Sequence, residues 1–153
     1  MESGNNKHGT TLVEILVVIA VIMILAGLTA GIGTTIDRYS KGKAVEATLS
    51  LLDAALDEYK DFRGGFPVAI DADPRVNCET LYLALNSVPG SREVLGKISD
   101  KVKKDEFASG VYRIYDPWGT VLNYIYNPGD SFPRLTSAGP DKTFLSGDDI
   151  TNR

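Results

Sequence analysis

With 153 residues the chain has room for one domain, and any long terminal helix draws its residues from that domain's core. Twenty acidic against 16 basic residues give a net charge of −4, with no Lys/Arg cluster of the density a phosphate backbone requires, so nucleic acid is excluded as a partner class. The single cysteine, Cys78, closes no internal disulfide and reads as a small half-buried apolar residue, while the single histidine, His8, stands ahead of the first apolar run. Loss of residues 1–9 leaves no imidazole for a serine or cysteine hydrolase or for most zinc enzymes.

Residues 10–36 read TTLVEILVVIAVIMILAGLTAGIGTTI, 27 residues carrying one charge, Glu14. As a helix they extend roughly 40 Å, enough to cross a hydrocarbon core of about 30 Å, and they form a transmembrane candidate. A cleaved secretory signal is the main rival, but its apolar region runs to only about 7–15 residues and ends at small residues. Flanking charge gives no clear orientation, since Lys7 precedes the run and Arg38, Lys41 and Lys43 follow it. Glu14 is costly in a bilayer unless a partner or a function compensates; the alternatives are a place near the headgroups or protonation. Cleavage after Gly9 would supply a partner, because Thr10 then carries a free α-amino group about one turn from Glu14. The amine of one subunit would pair with the carboxylate of its neighbour and offset the burial of both charges. Gly27 and Gly31 form a small-xxx-small pair that lets helices approach closely.

Lys7-His8-Gly9 followed by Thr10-Thr11-Leu12-Val13-Glu14-Ile15-Leu16 resembles the prepilin processing site of type IV pilins and type II secretion pseudopilins. The resemblance implies that a prepilin peptidase cuts after Gly9 and methylates the new N-terminus at Thr10, and that Glu14, fifth in the mature chain, serves assembly. Thr10 stands where the family usually has phenylalanine, a departure that bears on methylation more than on cleavage.

Beyond Ile36, Val45, Leu49, Leu52, Leu56 and Tyr59 are spaced by four, three, four and three, which makes one apolar helical stripe for a core. Gly64-Gly65 stops the helix and Pro67 forbids its resumption, giving one helix of about 50 residues whose C-terminal half packs on a soluble domain. The run Tyr59-Lys60-Asp61-Phe62-Arg63-Gly64-Gly65-Phe66-Pro67 resembles the end of that helix in pseudopilins.

Residues 78–86 read as a short helix with Leu81 and Leu85 on one side, blocked by Pro89-Gly90, and a second short helix is predicted around 92–103. Residues 110–127 alternate apolar and polar around Asp116-Pro117-Trp118-Gly119, predicting a hairpin that lays Tyr112, Ile114, Leu122 and Tyr124 near the helix stripe. That turn, with Tyr124 and Asn127-Pro128-Gly129, resembles the hairpin of major pseudopilins; Trp118 reads as packed in place.

The tail from Leu135 carries three carboxylates, Asp141, Asp148 and Asp149, within nine residues rich in glycine and serine. Oxygen donors of this kind suit Ca²⁺, although EF-hand spacing is missing, and a metal-free acidic loop is the alternative. Ser137-Ala138-Gly139-Pro140-Asp141 and Asp148-Asp149-Ile150 resemble the calcium loop of major pseudopilins. That resemblance implies Asp148 and Asp149 as side-chain ligands, carbonyls such as those of Leu135 and Ser137 completing the shell, and Asp141 nearby. Lys142 stands where glycine is frequent, and Gly147 where some members have another aspartate.

The expected fold is α+β and pilin-like: one long N-terminal helix, its first half transmembrane, packed on a small antiparallel sheet with short helices and an irregular C-terminal loop. The expected organisation is a leader at 1–9, a transmembrane and assembly segment at 10–36, and a periplasmic globular domain at 37–153. The resemblance implies a structural subunit of a type II secretion pseudopilus, held in the inner membrane by a single pass. Its partners would be copies of itself, a prepilin peptidase, the inner-membrane assembly platform and minor pseudopilins, with Ca²⁺ as the bound ion. A type IV pilin is the alternative, and a membrane-tethered calcium-dependent module or an enzyme using Asp61, Asp116, Asp141, Asp148 or Asp149 as a carboxylate pair is the rival from another class.

Overall fold

The computed structural model describes residues 11–106, 108 and 110–153, and within these it describes no side chains for 28–35. The predicted leader 1–9 and the cleavage pair Gly9 and Thr10 lie outside the described residues. The chain divides into two compact units after Arg38.

The first long element, α1 (Leu12–Arg63), runs for 52 residues, matching the single helix expected. Its N-terminal part is apolar and exposed along its described length, with Leu12, Val13 and Met23 each more than three-fifths exposed. Among the described residues no helix is long and apolar enough to cross a membrane. At its other end Lys60 and Arg63 sit in the last turn, favourable to the helix dipole. Gly64 then takes φ +79° while its N–H reaches back to the Lys60 carbonyl at 2.7 Å, a left-handed stop that glycine adopts without strain.

In the second unit the predicted stripe becomes the core. Val45, Leu49, Leu52 and Leu56 are buried and Tyr59 half-buried. They meet Cys78, Leu81 and Leu85 of α2 (Pro74–Asn86), Leu95 of α3 (Pro89–Gly96), and Ile114, Leu122, Tyr124 and Leu135. Each fully buried leucine contributes on the order of 2 kcal/mol from removed apolar surface. The helix α2 begins before the predicted Cys78 because Asp73 caps it, its carboxylate accepting the Arg75 N–H at 2.9 Å, with Pro74 in the first turn. The helix predicted over 92–103 instead starts at Pro89 and ends at Gly96. Pro89 lies beyond the end of α2 at Asn86, as expected, and also opens α3, since a first-turn proline has no N–H to lose.

The predicted hairpin is present but splits between two sheets. Strand β2 (Arg113–Ile114) pairs antiparallel with β1 (Lys103–Lys104). On the far side of the turn, β3 (Asn123–Ile125) pairs with β4 (Arg134–Ser137), which pairs with β5 (Ile150–Thr151). The arms touch through the Tyr115–Val121 bridge and the Leu122 N–H to Ile114 carbonyl bond at 2.9 Å. Ile114, Leu122 and Tyr124 bury as expected, whereas Tyr112 turns to Tyr82 of α2, ring centroids 5.3 Å apart. The tail, expected to be irregular, supplies β4 and β5 as the two stems of one loop. The architecture is α+β, an N-terminal helix with small antiparallel sheets.

Candidate functional site

Strands β4 and β5 hold residues 138–149 between them as a loop whose carboxylates face inward onto its own backbone. Asp148 accepts the Asp141 N–H at 3.1 Å and the Ser146 hydroxyl, and these bonds, the hydroxyl first, hold its carboxyl below the usual range. Asp141 accepts the Thr143 N–H at 2.8 Å, and one oxygen of Asp149 accepts the Leu145 N–H at 2.8 Å. The other oxygen of Asp149, Oδ1, is buried with no hydrogen-bond partner. Gly139 closes the loop at φ +67°, so near the Asp148 backbone that a Cβ would lie 2.3 Å from that carbonyl oxygen. Lys142 and Leu145 also take positive φ, 62° and 67°.

Of the predicted ligands, the loop therefore brings Asp141 to Asp148 and places Asp149 beside Leu145. Ser137, expected to offer its carbonyl, is buried, and its hydroxyl donates to Asp116 at 2.7 Å and accepts the Gly139 N–H at 3.2 Å. The Leu135 carbonyl accepts the Asn152 N–H at 3.2 Å. Among the described residues no three His, Cys, Asp or Glu side chains come together as a metal-holding group.

At the other end of the chain, Glu14 is exposed and answers a local need. Its carboxylate accepts the Thr11 N–H at 2.7 Å, and its own N–H donates to the Thr11 hydroxyl at 3.3 Å. Thr11-x-x-Glu14 is thus a capping box that satisfies two otherwise free donors at the start of α1. Around it, residues 4–30 match the family described as the prokaryotic N-terminal methylation motif. Over 154 aligned residues the chain is 31% identical to the type II secretion system core protein G of Escherichia coli (strain K12), covering 99% of this chain and 94% of that protein. The chain belongs to the type II secretion protein G family, the pseudopilins. No solved structure gives a significant match.

Two positioning residues of this pseudopilin were not legible as such in the sequence. Asp116, 4% exposed, accepts the Trp118 and Thr120 N–H groups at 3.0 and 2.8 Å on one oxygen and the Ser137 hydroxyl on the other, which locks the hairpin turn to the C-terminal loop. The Asp-Pro start of the turn signals the first pair of bonds, but nothing local signals Ser137. Asn152 joins three segments: its amide donates to Asp53 of α1 at 2.6 Å and to the Pro133 carbonyl at 3.2 Å, while its oxygen accepts the Leu135 N–H at 3.0 Å. Burial pushes the Asp53 carboxyl above its usual range, and the Asn152 amide opposes that shift. A lone asparagine near a chain end carries no signal of this kind.

Proposed function

We propose that this pseudopilin is a non-enzymatic filament subunit of a type II secretion system, processed after Gly9 and assembled through its N-terminal helix. The observation that carries the reading is the 31% identity to a core protein G across nearly the whole of both chains. The N-terminal methylation motif over residues 4–30 supports cleavage after Gly9 and methylation at Thr10 by a prepilin peptidase. Residues 10–36, with one charge in 27 positions, act as a single-pass anchor in the inner membrane, with 37–153 in the periplasm. During assembly Glu14 exchanges its own Thr11 N–H for the α-amine of a neighbouring copy, so a carboxylate already satisfied locally is kept satisfied. The inner-membrane assembly platform and minor pseudopilins are the partners this role requires.

Calcium fits the C-terminal loop on two grounds. Asp149 Oδ1 is a buried carboxylate oxygen without a donor, and the lowered Asp148 carboxyl is anionic at neutral pH. Asp148 and Asp149 would hold the ion, with carbonyls at the β4 stem such as those of Leu135 and Ser137 and with Asp141 adjoining. When bound, it supplies positive charge that fixes the loop between β4 and β5.

Exchange of Glu14 for alanine in cells carrying the secretion machinery tests the assembly role. Trimmed chains that no longer enter filaments are expected. Normal filaments from the variant would refute it.

A further inference from the structure

Strand alternation sets one wall of a polar pocket on the three-stranded sheet. Tyr124 and Leu135 are buried, so Ile125 and Arg134, paired with each other across β3 and β4, stand on the outer face. Together with Asn127, Ser131, Phe132 and Arg153 they line a cavity of 480 Å³. Both arginines are exposed, and among the described residues neither has a carboxylate within salt-bridge distance.

Arg153 is held from two sides. Its guanidinium lies over the Phe132 ring at 3.9 Å, and Phe132 packs edge-on against the core ring of Phe66 at 4.8 Å. The preceding residue, Asn152, is tied to Asp53, Pro133 and Leu135. Asp53 feels the Arg153 charge but bonds to the Asn152 amide at 2.6 Å instead. A guanidinium stacked by its face keeps its edge donors free for a planar oxyanion.

The wall also contains one acid, Asp130. Its Oδ2 accepts the Asn127 N–H at 3.0 Å and the Asn127 amide at 3.4 Å, and Oδ1 is left as an acceptor. Two cations against one carboxylate suit a monoanion better than a phosphate dianion. The Asp130 oxygen suits an N–H close to that anion, and exposed Ile125 suits an apolar side chain beside it. An acidic peptide segment carries all three features, whereas a phosphate monoester carries more negative charge and no N–H.

We propose that this pocket binds an acidic peptide segment of another protein. The carboxylate sits on Arg134 and Arg153, a peptide N–H is donated to Asp130, and the adjoining apolar side chain covers Ile125. The pocket shares no residue with the aspartate loop, and the proposal stands independently of the filament reading. Because both arginines face solvent, the contact is weak and salt-sensitive, as in a transient encounter.

Amide shifts of the full chain in detergent at low ionic strength test this. The probe is a capped tripeptide of glutamate, leucine and glutamate, compared with the same peptide carrying glutamine in place of glutamate. Saturable shifts at Ile125, Ser131 and Arg134 with the glutamate peptide alone are expected. Arg134→Gln with Arg153→Gln should weaken binding at least about tenfold, the loss of one or more charge-assisted hydrogen bonds. Lys142→Gln, which removes a surface charge outside the pocket, should not, and thermal unfolding checks that each variant is folded. Equal response to the two peptides, equal binding by the arginine variant, or no shift at these residues would overturn the proposal. Tighter binding of inorganic phosphate, or of vesicles of phosphatidylglycerol and phosphatidylethanolamine, would assign the pocket to phosphate and overturn it too. Displacement of the peptide by added full chain would assign the pocket to a second copy, with the same consequence.

Discussion

Replacement of Gly139 by alanine separates two costs that the loop combines. The residue has φ +67°, and a left-handed backbone costs an L-residue about 1–2 kcal/mol, offset by about 0.5 kcal/mol because alanine restricts the unfolded chain. Gly119, at φ +90° with nothing within 4 Å of its would-be Cβ, bears only this cost, so Gly119→Ala should lose about 1 kcal/mol. At Gly139 the new methyl would stand 2.3 Å from the Asp148 carbonyl oxygen and 3.2 Å from its carboxyl carbon. The Asp148 backbone must retreat by roughly 1 Å, a distance sufficient to break the 3.1 Å bond from the Asp141 N–H. Loss of that bond and of the packing around it adds about 2 kcal/mol, for a total near 3 kcal/mol. Thermal unfolding of the full chain in detergent, followed by the fluorescence of the single tryptophan Trp118, measures both variants. Equal midpoints for Gly139→Ala and Gly119→Ala would refute the close approach of the two loop segments.

Lys142 holds φ 62° with a side chain that strains that conformation, so Lys142→Gly is expected to raise stability by about 0.5–1 kcal/mol in the same assay; a fall would mean that the lysine side chain contributes. Asn152→Ala leaves the Leu135 N–H, in a fully buried residue, without an acceptor and frees Asp53, with an expected loss of about 2–3 kcal/mol by urea unfolding. The Cys78 thiol, 1% exposed, is pushed by burial from 9.0 to about 11, and should resist alkylation in the folded chain at pH 8. Because the unfolded thiol ionises first, the stability it contributes is fully present below about pH 9 and is lost as pH rises towards 11. Cys78→Ser should remove a slope worth on the order of 3 kcal/mol over that window. Addition of Ca²⁺ is expected to raise the unfolding midpoint of the wild type and not that of Asp149→Asn, whose amide supplies one oxygen in place of the orphaned carboxylate; an equal response from both would exclude Asp149 as a ligand.

The long helix and its core were legible because Val45, Leu49, Leu52 and Leu56 obey one period, and burial follows period when a single face is apolar. The end of that helix was equally plain, since Gly64 signals its conformation by its identity. Pro89 stood correctly as the block beyond α2, but its second role as the start of α3 was missed, because proline both ends and begins helices and the β conformation of Val88 before it sets the new start. The hairpin's turn was readable in Asp116-Pro117-Trp118-Gly119, yet its two arms joined different sheets because partners β1 and β4 are set by chain segments distant in sequence. In the loop, the acid cluster was visible and its wiring was not. Asp148 reaching Asp141, Ser137 reaching Asp116 and Asn152 reaching Asp53 are all consequences of tertiary approach. The positive φ that Lys142 must hold gives a physical reason to expect glycine at position 142.

The intact mass of the protein extracted from membranes of cells with an active prepilin peptidase tests the central claim most directly. A chain that begins at Thr10 and carries one added methyl group is the expected result. A chain that retains residues 1–9 under those conditions would contradict the account, since its α-amine would then stand far from the Glu14 of any neighbour.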